Sequence, residues 1–169
     1  MTAIGVLVGN PRPASRTLRA ALAVREALRQ VLKDPVAGAT VDAAEILHQV
    51  FDPGRMRVVL EELGRSDVLV IATPTYKATY TGLLKAVLDQ APPNWLRGKA
   101  VVPVQVAASE RHALAVEVHL RPLVVELGGQ VPGRGLFLTE SALAVDGDAL
   151  TAALLEMIDA DALNAVVAA

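Results

Sequence analysis

The chain has 169 residues, is 53% hydrophobic and only 3% aromatic, and carries a formal net charge of -2. One domain with an aliphatic core is expected over residues 1–169, with no general attraction to nucleic acid. The absence of cysteine excludes disulfides, thiolate nucleophiles and cysteine-ligated metals. No positive run precedes a long apolar block, so neither a signal peptide nor a membrane span is expected, and a soluble, cytoplasmic protein is.

Ala3 to Gly9 reads as an opening strand covered on both faces. The loop Asn10-Pro-Arg-Pro-Ala-Ser-Arg-Thr17 leads into a helix from Ser15 to Lys33. Ser15 stands as its N-cap, and Leu18, Leu22, Leu28, Val31 and Leu32 face inward. Asp34-Pro35 ends that helix, with Gly38 in the loop after it. Thr40 to Ile46 is a weakly patterned second strand, His48 to Gly54 a connector, and Arg55 to Leu63 a short helix closed by Gly64. Asp67 to Ala72 is a third buried strand, followed by a loop and an amphipathic helix over 80–90. Ala91-Pro-Pro-Asn94 breaks the chain. Lys99 to Val106 is a fourth strand, although Pro103 counts against a regular central position.

A helix from Arg111 to Leu127 follows, closed by Gly128-Gly129. Pro122 falls inside it, and the residues allow either a plain kink or a π-bulge near Val118 and His119. Val131 to Thr139 is a last strand interrupted by Gly133 and Gly135, and a final helix runs from Asp146 to Leu163. Strands and helices alternate five times, which gives a doubly wound parallel α/β sheet with helices on both faces.

In such sheets ligands bind at the carboxyl ends of the strands. The first loop lacks both Gly-x-Gly-x-x-Gly and the Walker pattern. It places Asn10, Arg12, Ser15, Arg16 and Thr17 at a helix start, where free N–H groups and a positive dipole end suit a phosphate monoester; an N-cap with surface arginines is the other reading. The second loop holds Pro74, Thr75, Tyr76, Lys77 and Tyr80. Both tyrosines of the chain lie here beside a lysine, a combination suited to a planar, anionic ligand. The third loop, Ala107 to His112, is rich in small residues. Its backbone N–H groups at Ala108 and Ser109 can approach a ring carbonyl, while the Ser109 side chain reads better as an N-cap. No Gly-x-Ser-x-Gly elbow is present. His48, His112 and His119 lack metal-ligand spacing.

Four segments resemble the flavodoxin-like NAD(P)H-dependent FMN reductases, especially the reductase components of two-component alkanesulfonate monooxygenases. They are Gly9 to Thr17, Thr73-Pro-Thr-Tyr-Lys-Ala-Thr-Tyr-Thr-Gly-Leu-Leu-Lys85, Leu96-Arg-Gly-Lys99 and His112 to Pro122. The resemblance implies a flavodoxin-like three-layer sandwich with strand order 2-1-3-4-5. It implies that Arg12, Ser15, Arg16 and Thr17 hold the FMN phosphate and that Pro74, Thr75, Tyr76 and Lys77 border the ribityl chain and ring. The loop 107–112 would pass near the pyrimidine edge.

The implied activity is hydride transfer from NAD(P)H to FMN N5, with reduced flavin passed to a partner monooxygenase. A related enzyme class keeps FMN bound and reduces quinones, azo dyes or chromate. The resemblance further implies a homodimer or homotetramer, with a π-bulge of the fourth helix at the tetramer interface. Two loops depart from the family pattern. Asn10 replaces a serine, though its amide can still donate to phosphate, and Ala107-Ala108-Ser109 replaces Gly-Gly-Ser, which crowds the ring edge.

Overall fold

A computed structural model describes residues 1–169. Five strands, β1 (Thr2–Val8), β2 (Pro35–Asp42), β3 (Val68–Pro74), β4 (Ala100–Ala107) and β5 (Leu136–Thr139), form one parallel sheet in the order β2-β1-β3-β4-β5. The helices are α1 (Arg16–Val31), α2 (Pro53–Leu63), α3 (Gly82–Leu88), α4 (Arg121–Glu126), α5 (Gly147–Met157) and α6 (Ala160–Val167). One apolar cluster joins α1, α5 and α6 to one face of the sheet; a second joins α2, α3 and α4 to the other. This is the expected flavodoxin-like three-layer arrangement. No helix is long and apolar enough to cross a membrane.

Ser15 caps α1 as anticipated, its hydroxyl accepting the Leu18 N–H at 3.2 Å. The buried face of that helix is built from smaller side chains than expected. Ala20, Ala21, Val24, Ala27 and Leu28 lie against the sheet, while Leu18 and Leu22 are only half-buried. The alanines let the helix axis approach the strands closely.

β2 starts at Pro35 rather than Thr40, and Ala43 to Ile46 form a turn. Proline is tolerated there because it opens an edge strand. Gly38 enters the strand where the pairing with β1 shifts register after Ile4. α2 begins at Pro53 with Asp52 as its N-cap, two residues earlier than the periodicity indicates. The final helix is two helices, because Asp159 caps a second start through the Ala162 N–H.

Pro103 does lie in a central strand, with β3 on one side and β5 on the other. The ladder to β5 starts only at Val104, and Gly135 lies against the proline ring. The missing donor therefore falls where no ladder bond is formed. β5 itself is shorter than expected, because Gly133 (φ +74°) breaks the stretch before it.

The end of β1 meets the start of α3 at Gly9. A Cβ there would sit 2.9 Å from Leu84 Cα, a backbone contact that no rotamer change relieves. Gly9→Ala should destabilise the fold by about 1–3 kcal/mol through overpacking, read as a lower urea midpoint. An unchanged midpoint would contradict the close approach.

Candidate functional site

Three loops emerge at the carboxyl ends of β1, β3 and β4, beside the point where helices leave opposite faces of the sheet. The first two are tied together. The Gly9 N–H donates to the Ala72 carbonyl at 2.8 Å, and the Thr81 hydroxyl, which caps α3, donates to the Gly9 carbonyl. Thr73, fully buried at the end of β3, accepts the Thr81 N–H at 3.1 Å.

In the first loop Asn10 is buried and acts as an internal brace. Its Oδ1 accepts the Arg12 N–H at 3.0 Å, and its Nδ2 donates to Thr17 Oγ1 at 3.0 Å. The amide expected to donate to phosphate thus has one hydrogen committed to Thr17. Ala14 adopts φ 49° to complete the turn. The N–H groups of Ser15, Arg16 and Thr17 have no acceptor in the chain, and neither does the Thr17 hydroxyl proton. Arg16 pairs with Glu140, leaving Arg12 as the exposed cation without an acidic partner.

Asp42 closes this loop from β2. It is buried, with one carboxylate oxygen unpartnered and the other accepting the Ala44 N–H at 3.1 Å. Burial pushes its carboxyl above the ordinary aspartate range, against the lowering effect of the Ala44 amide. Glu45 adds to the rise and the Ala14 amide opposes it.

The second loop is a tight hairpin turn. Tyr76 and Thr79 exchange both backbone hydrogen bonds, at 2.9 and 3.3 Å, and the two residues between them, Lys77 and Ala78, have φ of 52° and 69°. Two successive left-handed residues that are not glycine store local strain, of a kind that clusters at ligand clamps. The turn presents Tyr76, 42% exposed, and Lys77 at its tip. Tyr80 is not brought to that tip. It is half-buried against the α2–α4 apolar cluster. Thr75 is anchored to β4 by its N–H, 2.7 Å from the Val106 carbonyl.

In the third loop Ala107 is buried, while Ala108 and Ser109 are exposed. Ser109 makes no capping hydrogen bond, contrary to its expected role. The N–H groups of Ala108, Ser109 and Glu110 have no acceptor in the chain. A cleft of about 360 Å³ separates this loop from Ala78 and is lined by Arg111, His112, Val118 and His119. A larger groove of about 810 Å³ runs along α2 beside Trp95, away from all three loops.

The helix after the third loop contains a π turn over Val116–Leu120, with the Arg121 N–H bonded back to the Val116 carbonyl. The wider turn accommodates Pro122, so the plain kink is replaced by the bulge. Within it, Glu117 Oε1 accepts the Gly135 N–H at 2.6 Å, and Glu117 Oε2 accepts Arg121 Nε at 2.6 Å. Arg121 also donates to the carbonyls of Val131 and Gly133. The pair pins the glycine-broken stretch before β5. Two polar residues that matter here, Asp42 and Gln105, escaped the sequence reading, although each stands out as a polar residue in an otherwise apolar strand end.

The family profile described as NADPH-dependent FMN reductase matches residues 2–144. The chain belongs to that family. It is 37% identical over 97 residues to an FMN reductase (NADPH) of Escherichia coli K12, a match covering 57% of this chain and 51% of that protein. It is 34% identical over 87 residues to the NADH-dependent FMN reductase SfnF of Pseudomonas putida, covering 52% and 47%. The chain thus spans about half the length of these relatives. The apo crystal structure of an NADH:FMN oxidoreductase superposes with a TM-score of 0.81 at 27% identity, covering 99% of this chain and 89% of that one.

Burial opposes the charged form of Glu117, but the Arg121 hydrogen bond, the Gly135 amide and the charges of Arg121 and Arg134 together hold its carboxyl below the ordinary glutamate value. A depressed folded value contributes stability above the unfolded value and loses it as the pH falls through the folded one. Glu117→Gln should therefore be less stable than the unaltered chain at neutral pH, with the gap closing below about pH 4.3. A gap independent of pH would show that the charge is not what holds residues 131–135.

Proposed function

We propose that residues 1–169 form one NAD(P)H-dependent FMN reductase domain that acts in the cytoplasm and hands reduced flavin to a partner monooxygenase. The observation that carries this reading is the set of uncommitted donors at the start of α1: the amides of Ser15, Arg16 and Thr17 and the Thr17 hydroxyl. A phosphate monoester supplies matching acceptors, and its charge suits the helix N-terminus and Arg12. The other two loops fit the rest of FMN. Tyr76 offers a ring face, Lys77 a positive charge, and the free amides of Ala108, Ser109 and Glu110 a patch of donors for a ring edge.

When bound, FMN supplies the ring nitrogen N5 that accepts hydride from the nicotinamide. The residues of the chain bind, orient and stabilise charge. The amides of 108–110 are preorganised to hold negative charge at the pyrimidine edge, where fixed donors act with little reorganisation. The family relatives' names support FMN and NAD(P)H as the substrates. The methyl of the exposed Ala108 crowds the ring edge, which favours loosely held FMN over a permanent prosthetic group. The exposed Leu114, Val118 and Val125 around the π turn support assembly as a homodimer or homotetramer.

Oxidation of NADPH and NADH by the desalted chain should depend on added FMN. A chain that retains FMN through desalting and oxidises NADPH only when a quinone or dye is present would replace this reading with the bound-flavin class. Thr17→Val should weaken FMN binding roughly 10- to 100-fold, as expected for a lost charge-assisted hydrogen bond, and should leave riboflavin affinity nearly unchanged. Equal losses for both ligands would remove the phosphate from this loop.

A further inference from the structure

Gln105 is the one polar side chain in β4, and it is fully buried. Its neighbours in the ladders are Thr73 on β3 and Phe137 on β5. Its Nε2 donates to Thr75 Oγ1 at 3.0 Å, while its Oε1 has no partner. An amide in that setting is costly unless it does something an apolar residue of the same size cannot. Thr75 is fixed to β4 from two sides, by this bond and by its own N–H to the Val106 carbonyl.

A threonine hydroxyl has one proton and two lone pairs. With Gln105 filling one lone pair, the proton must point away from the glutamine, and no acceptor in the chain takes it. Thr75 is half-buried, so that proton remains available to a group from outside. The first loop repeats the device. Asn10 donates to Thr17 Oγ1, and the Thr17 proton is likewise free.

We infer that Gln105 is a positioning residue that orients the Thr75 hydroxyl as a hydrogen-bond donor to an acceptor atom of the bound flavin, a carbonyl or ring nitrogen. The inference rests on the flavin-binding reading of the three loops. Gln105 does not touch the ligand; it acts through Thr75. An apolar residue at 105 would leave the Thr75 hydroxyl free to rotate and donate elsewhere.

The test is a double-mutant cycle on FMN affinity, measured by quenching of FMN fluorescence, with Q105M, T75V and the double variant. Thermal unfolding of each variant checks the fold, and Q105L serves where Q105M does not fold. Q105M should weaken FMN binding roughly three- to tenfold, the scale of one net hydrogen bond. T75V should weaken it by a similar factor, and Q105M should add almost nothing in the T75V background. The visible absorption bands of bound FMN should shift in the same direction in both single variants. An equal loss from Q105M in both backgrounds, or no loss in either, overturns the inference while leaving the flavin reading in place. Absence of FMN binding by the unaltered chain overturns the flavin reading and this inference with it.

Discussion

The Thr81 hydroxyl performs two roles with one oxygen. It accepts the Leu84 N–H at 3.1 Å, which caps α3, and it donates to the Gly9 carbonyl at the end of β1. Everything at the carboxyl edge of the sheet depends on this junction. It brings the turn before α1 beside the turn after β3, and Gly9 allows the approach because a side chain there would meet Leu84. In the proposed reading, one rigid body then addresses a phosphate at the first loop and a flat ring at the second, with the elements on each side buried in apolar clusters.

The polar groups of the site follow one pattern. Buried side chains satisfy one another in ways that leave hydrogens over. Asn10 braces Thr17, Gln105 braces Thr75, and backbone amides at 15–17 and 108–110 stay unpaired inside the chain. Lys77 and Ala78 are held in left-handed conformations, so the turn that carries Tyr76 stores backbone strain. Uncommitted donors at 15–17 and 108–110 and the left-handed residues Ala14, Lys77 and Ala78 lie at the same edge of the sheet.

Much of this was legible in the sequence. Near-continuous apolar runs announced β1, β3 and β4, and the Ser15 cap followed from its place before a periodic segment. The three loops were recognisable from their residue types. What the sequence hid depended on tertiary partners. The start of β2 at Pro35 reflects its edge position, which leaves proline's missing donor harmless. The place of Pro103 in the centre reflects a β5 that pairs only from Val104 onward. The alanine face of α1 reads as weakly apolar, yet it is the face that packs. The commitment of one Asn10 amide hydrogen to Thr17, seven residues away, is visible only in the fold. The half-buried place of Tyr80 against the apolar cluster is likewise a tertiary fact that its sequence position does not show.

The most direct test is a crystal structure of the chain with FMN bound. The phosphate is expected within hydrogen-bond distance of the Ser15, Arg16 and Thr17 amides and the Thr17 hydroxyl, with the ring between Tyr76 and the 108–110 amides. A phosphate bound elsewhere, with the α1 amides still unpartnered, would contradict it.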